Sequence, residues 1–130
     1  KEISWDYNQL AKAYMDLLLS HNKAEAIEFV RQLYRQGMAV TDIYAQVFTR
    51  TLQETGRLWA DGIINICEEH YISEITQTLV SHLSVARLGG PETGKKVVVM
   101  NMEGEKHVIA GKMLADFLER SGLETFYLGK

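Results

Sequence analysis

The sequence predicts a mostly α protein: an antiparallel four-helix bundle followed by the first βαβ unit of a truncated, doubly wound α/β domain. Three observations lead there. Apolar residues recur at three- and four-residue spacing through the first two thirds of the chain. The stretch Leu88-Gly89-Gly90-Pro91-Glu92-Thr93-Gly94, which holds the only proline, then breaks that period. Beyond it, Lys96-Val97-Val98-Val99-Met100-Asn101 is the short apolar run expected of a strand buried in a parallel sheet. The domain boundaries expected are a helical cap at 1–88, a linker at 89–94 and the start of the α/β domain at 95–130.

The first helix is expected over Tyr7 to Ser20, with Leu10, Tyr14, Leu17 and Leu18 inward. Asn22 then caps a helix from Lys23 to Arg35 that carries Ala26, Ile27, Val30 and Leu33 on one stripe, and Gln36-Gly37 closes it. Thr41 caps a third helix, Asp42 to Ala60, with Ile43, Val47, Leu52 and Leu58 inward and Asp61-Gly62 as its stop. The fourth runs from Cys67 to Arg87, burying Tyr71, Ile75, Leu79, Leu83 and Ala86. After the linker come the first strand, a loop from Met102 to Lys106 and a helix from Val108 to Arg120 with Ile109, Met113, Leu114, Phe117 and Leu118. Leu123 to Leu128 forms a second strand. A doubly wound sheet needs about three further strand–helix units, so the sequence reads as cut short.

At 130 residues, 46% hydrophobic and 24% charged, the chain has the composition of a globular protein rather than a disordered one. Its net charge of −3 excludes a partner bound by phosphate neutralisation, so no direct nucleic-acid contact is expected. No apolar run approaches the ~20 residues of a membrane span, and the N-terminus has no signal-peptide character. A single cysteine, Cys67, forbids an intrachain disulfide and points to a reducing, cytoplasmic setting.

Four histidines are the candidate ligands. His21 at a helix end and His82 on the fourth helix read as structural or solvent-facing. His107 stands just beyond the first strand, where open α/β sheets bind their ligands, and Glu105 two residues earlier is placed to orient its ring. His70 follows Glu68 and Glu69, which suit the positive end of the helix dipole. Trp59 lies at the end of the third helix, across the turn Asp61-Gly62-Ile63-Ile64-Asn65. Spacing alone leaves each of these open between a binding role and ordinary packing, and Cys67 reads as an inert helical thiol.

The combination resembles the cobalamin-binding module of corrinoid proteins, a four-helix cap followed by a flavodoxin-like domain. The family motif Asp/Glu-x-His-x-x-Gly is matched in its first half by Glu105-Lys106-His107. Trp59, followed by Glu69-His70, is similar to the marker of light-sensing receptors of the CarH/LitR type. The segments Glu54-Thr55-Gly56-Arg57-Leu58-Trp59-Ala60-Asp61-Gly62 and Tyr127-Leu128-Gly129 also read like that family. The motif glycine is displaced by one: Ala110 takes its place and Gly111 follows.

The resemblance implies a cobalamin cofactor, adenosyl or methyl, with His107 as lower cobalt ligand and Glu105 behind it. It implies Gly111 near the corrin, Trp59 over the upper face, and Glu69 and His70 approaching that face, His70 as an upper ligand once an organic group is lost. It further implies a sensor or regulatory domain, light-responsive and not an enzyme, acting as a homo-oligomer or through a partner regulatory protein. The rival readings are a corrinoid carrier subunit of a methyltransferase, a heme-binding sensor of the same fold, and a cofactor-free helical interaction module.

Overall fold

The computed structural model describes residues 4–85, 92–102 and 108–129. They form α1 (Tyr7–Leu19), α2 (Lys23–Arg35), α3 (Val40–Asp42), a π-helical segment (Ile43–Phe48), α4 (Thr49–Ala60), α5 (Ile66–Val85), β1 (Lys96–Met100), α6 (Val108–Arg120) and β2 (Glu124–Gly129). The protein is mostly helical with a small parallel sheet of two strands. It divides into two compact units, Lys1–Thr76 and Gln77–Lys130, the boundary falling inside α5. Among the described residues no helix is long and apolar enough to cross a membrane. Ala86, expected inward on the fourth helix, lies outside the described residues.

In the first unit, helix ends are set by local hydrogen bonds. Asp6 caps α1 by accepting from the Gln9 backbone N–H at 3.2 Å. The same closure ends α1, α2 and α4: a residue in left-handed conformation lets two backbone N–H groups turn back onto the last carbonyls. Gly37 (φ +98) and Gly62 (φ +72) supply it for α2 and α4, whereas α1 uses His21 (φ 61). A side chain at that position is strained, and here the His21 ring packs edge-on against Tyr71 with centroids 6.0 Å apart.

The third expected helix differs most. It begins at Val40 with Ala39, not Thr41, as the preceding cap, and its turn at Ile43–Phe48 is π-helical. There the Thr49 hydroxyl donates to the Tyr44 carbonyl at 2.8 Å. Counting four residues on from Val47 leads to Thr51 and then Thr55, and these are the side chains that α4 buries. Leu52 and Leu58, expected inward, are only half-buried. The two threonines are tolerated inside because each hydroxyl has a backbone acceptor: Thr51 donates to Ala11 at 3.3 Å and Thr55 to Thr51 at 2.7 Å.

At the centre of this unit Tyr14 is completely buried, its ring 5.4 Å from Phe48. Its hydroxyl shares a 2.8 Å hydrogen bond with Thr76 on α5. Burial disfavours the phenolate and pushes the Tyr14 hydroxyl well above its ordinary value of 10.0, against a smaller lowering by the Thr76 bond.

In the second unit β1 and β2 pair in parallel, Lys96 opposite Glu124, Val98 opposite Phe126 and Val99 opposite Tyr127, with an irregularity after Val99. Val99, Ile109 and Ala115 are buried where α6 lies on the sheet. The opposite sheet face is open, so β1 alternates instead of being buried on both sides: Val98 and Met100 are exposed, as are Phe126 and Leu128. Leu114 and Phe117, expected inward, are half-exposed because α6 buries a narrower stripe. Asp116 is 3% exposed and paired with Arg120 Nε at 2.8 Å. Arg120 Nη2 also donates to the Leu83 carbonyl in the last turn of α5, at 2.8 Å.

Two measurements check these cores. Tyr14→Phe strands the buried Thr76 hydroxyl and should cost about 1–2 kcal/mol in thermal or denaturant unfolding. Because the unfolded phenol ionises before the folded one, Tyr14 contributes full stability below pH ~10 and loses it as the pH rises further, by up to about 1.4 kcal/mol per unit. Wild type should therefore weaken more steeply than Tyr14→Phe in alkaline titration. Arg120→Ala removes a charged partner of a buried carboxylate and should destabilise the second unit by about 3 kcal/mol, read as early loss of amide protection in α6.

Candidate functional site

The chemistry-bearing residues of the first unit gather along one short piece of chain, from the end of α4 to the second turn of α5. Asp61 and Gly62 end α4, with the Ile63 N–H returning to the Leu58 carbonyl at 2.9 Å. Ile64 is buried and anchors the turn. Asn65 and Glu68 then close the start of α5 reciprocally. The Glu68 N–H donates to Asn65 Oδ1 at 2.8 Å, and the Asn65 N–H to Glu68 Oε1 at 3.1 Å. Arg57 ties the last turn of α4 together by pairing with both Glu54 and Asp61, and its guanidinium holds the Glu54 carboxyl below the usual carboxylate range.

Apart from Ile64, the large apolar side chains of this turn are left uncovered. Trp59 is 49% exposed, and Ile63 and Ile66 are exposed with it. Cys67, read as an inert thiol, is also exposed.

Glu69 and His70 are coupled directly. His70 Nδ1 lies 2.5 Å from Glu69 Oε2, and the other carboxylate oxygen accepts from the Ser73 hydroxyl at 3.3 Å. The carboxylate is mostly covered while the imidazole is 72% exposed. A carboxylate on Nδ1 fixes the proton there and leaves the Nε2 lone pair for a metal or a hydrogen-bond donor. Glu68 and Glu69 therefore do more than complement a helix dipole: one caps α5 and the other orients His70. The Asn-x-x-Glu spacing of Asn65 and Glu68 is a capping signature that could have been read from the sequence, whereas the Glu69–His70 pairing of adjacent residues has no such spacing rule.

Of the other expected site residues, Glu105 and His107 lie outside the described residues. Gly111 is in the first turn of α6, where an added Cβ would collide with the Asn101 amide oxygen and lie 3.1 Å from the Tyr127 ring. His82 is exposed on α5 and His21 sits in the α1–α2 turn. Among the described residues no group of three or more His, Cys, Asp or Glu side chains is placed to hold a metal ion.

No curated protein matches the chain. The sequence profile of the B12 binding domain matches residues 10–84, more than half of the 130. That span contains Trp59, Glu69 and His70 together with the helices that hold them. The chain belongs to the B12 binding domain family, whose cofactor is cobalamin.

Proposed function

We propose that the chain is a cobalamin-binding sensor or regulatory domain, not an enzyme, in which a helical cap (1–88) is joined by a linker (89–94) to the start of a cofactor-binding α/β domain (95–130). His107 would hold the cobalt, with Glu105 orienting its ring, and Gly111 would let the backbone approach the corrin closely. Trp59 covers the upper substituent. The observation that carries the reading is the Glu69–His70 pair. A carboxylate-held imidazole with Nε2 free, on the same turn as an exposed tryptophan, fits a flat, largely apolar group with an axial coordination position.

Cobalamin supplies, when bound, a metal–carbon bond that visible light can break. The chain's own residues do the rest: Trp59 packs against the organic group and keeps water from it, and His70 is the cap's imidazole donor for that same face. Loss of the group removes what Trp59 rests on, a local packing change able to alter homo-oligomer or partner-protein contacts in the cytoplasm. A methyltransferase carrier needs its upper face open to a methyl donor, which a tryptophan with Glu69 and His70 does not favour.

Absorption spectra of the protein with adenosyl-, methyl- and hydroxocobalamin, before and after illumination, test this. His107→Ala should move the visible spectrum toward water-ligated cobalamin, and Glu105→Ala should weaken binding about ten- to a hundredfold. Trp59→Ala should retain hydroxocobalamin but lose selection for a bulky upper ligand. After illumination His70→Ala should lack the bis-histidine species. Identical photoproducts in wild type and both cap variants would replace the sensor by a carrier, and a Soret band in purified protein would replace cobalamin by heme.

A further inference from the structure

Glycine is the poorest helix former after proline, so one in the middle of a helix calls for a reason. The other glycines among the described residues have one. Gly37, Gly62, Gly94, Gly122 and Gly129 stand at positive φ, and Gly111 presses against the Asn101 amide oxygen. Gly56 has neither reason. It is exposed inside α4, without positive φ. Apart from its chain neighbours and the helix backbone itself, nothing among the described residues comes within 4 Å of where its Cβ would stand. Trp59 follows three residues on, and a side chain on a helix leans back over the turn before it. The Trp59 side chain is 49% exposed yet stays out of that space, so Gly56 is not there to seat it. What is left beside the tryptophan is a strip of uncovered helix backbone. Bare backbone lets a ligand come closer than any side chain would allow.

We infer that Gly56 is a specificity-determining residue of the cap, leaving room beside Trp59 for a flat, nucleoside-sized organic group on the upper face of the cofactor. This rests on the reading of Trp59 as the cover of that group. The B12 binding domain match, residues 10–84, includes Gly56 as well as Trp59. A flat group stacked on the Trp59 ring and extending one helical turn along α4, about 5.4 Å, reaches Gly56. That is the direction in which the tryptophan leans. A methyl group or a hydroxide on the metal is too short to span the turn. Gly56 therefore reads the size of the upper group, whereas Trp59 supplies the surface on which it packs.

Gly56→Ala is the informative variant, because the free chain and the complex should respond in opposite directions. In the free chain the added methyl group meets nothing and alanine is the better helix former, so the melting midpoint should rise by a few degrees. The full chain is then titrated in the dark with adenosyl-, methyl- and hydroxocobalamin, followed by visible absorption. Gly56→Ala should bind adenosylcobalamin about tenfold more weakly than wild type and the other two within about twofold. Gly56→Leu, which still suits a helix, should deepen the loss for adenosylcobalamin alone. A uniform loss across all the cobalamins would make Gly56 merely structural and overturn the size-selective role. Unchanged affinities with a raised melting midpoint would overturn it too and leave the cobalamin reading standing. A dimer seen by sedimentation in wild type and lost in Gly56→Ala, at unchanged affinities, would give the bare strip to a second copy of the chain instead. Uptake of none of these cobalamins by wild type would overturn the cobalamin reading and this inference together.

Discussion

A phenol in a dry interior must find a partner, and the helical unit is organised around that requirement at Tyr14. Its ring fills space against Phe48, and its hydroxyl meets the Thr76 hydroxyl on a helix 62 residues away in sequence. The bond therefore selects one rotation of α5 about its own axis, the one that turns Thr76, Ile72 and Ile75 inward. Apolar contacts alone would tolerate a range of rotations, because they are not directional. On the same helix Glu74 is exposed. Within the first unit, the phase of α5 is thus set by one polar contact.

The same economy governs the turn before α5. Each of two successive glutamates has a different partner, one the Asn65 backbone and the other the neighbouring imidazole. Because Glu68 holds the backbone, Glu69 is free of structural duty and can orient His70. The arrangement leaves the imidazole exposed while one of its nitrogens meets a carboxylate, which suits a ligand-binding ring.

Much of this was legible in the sequence, and the failures have physical causes. The α2 and α6 boundaries were read to the residue, the ends from Gly37, Ser121 and Gly122; Asn22 stands at the cap position of α2, but its side chain makes no capping hydrogen bond there. The π-helical turn at Ile43–Phe48 was invisible, since its residues have the apolar character of any helix and its signature is a hydrogen-bond register. The inward threonines of α4 were missed for a related reason: a pattern of apolar residues cannot show that a hydroxyl bonded to its own helix counts as core. Trp59 and His70 were singled out by the family resemblance, spacing alone having left them open. Their exposure, and the carboxylate behind His70, needed coordinates.

The Arg120 side chain carries a last consequence, for how the chain can be divided. One guanidinium neutralises the buried Asp116 and holds the Leu83 carbonyl, so the final turns of α5 are bound to α6 by a charge-assisted contact as well as by packing. The glycine- and proline-rich stretch that follows is the obvious place for a protease or a recombination event to separate helical cap from α/β segment. A piece released there would keep the carboxylate and its arginine but lose the carbonyl, along with the apolar surface of Val80 and Leu83. The natural seam by composition is therefore not a seam by energy. Any rearrangement that reuses the α/β segment with a different cap must carry the last turns of α5 with it.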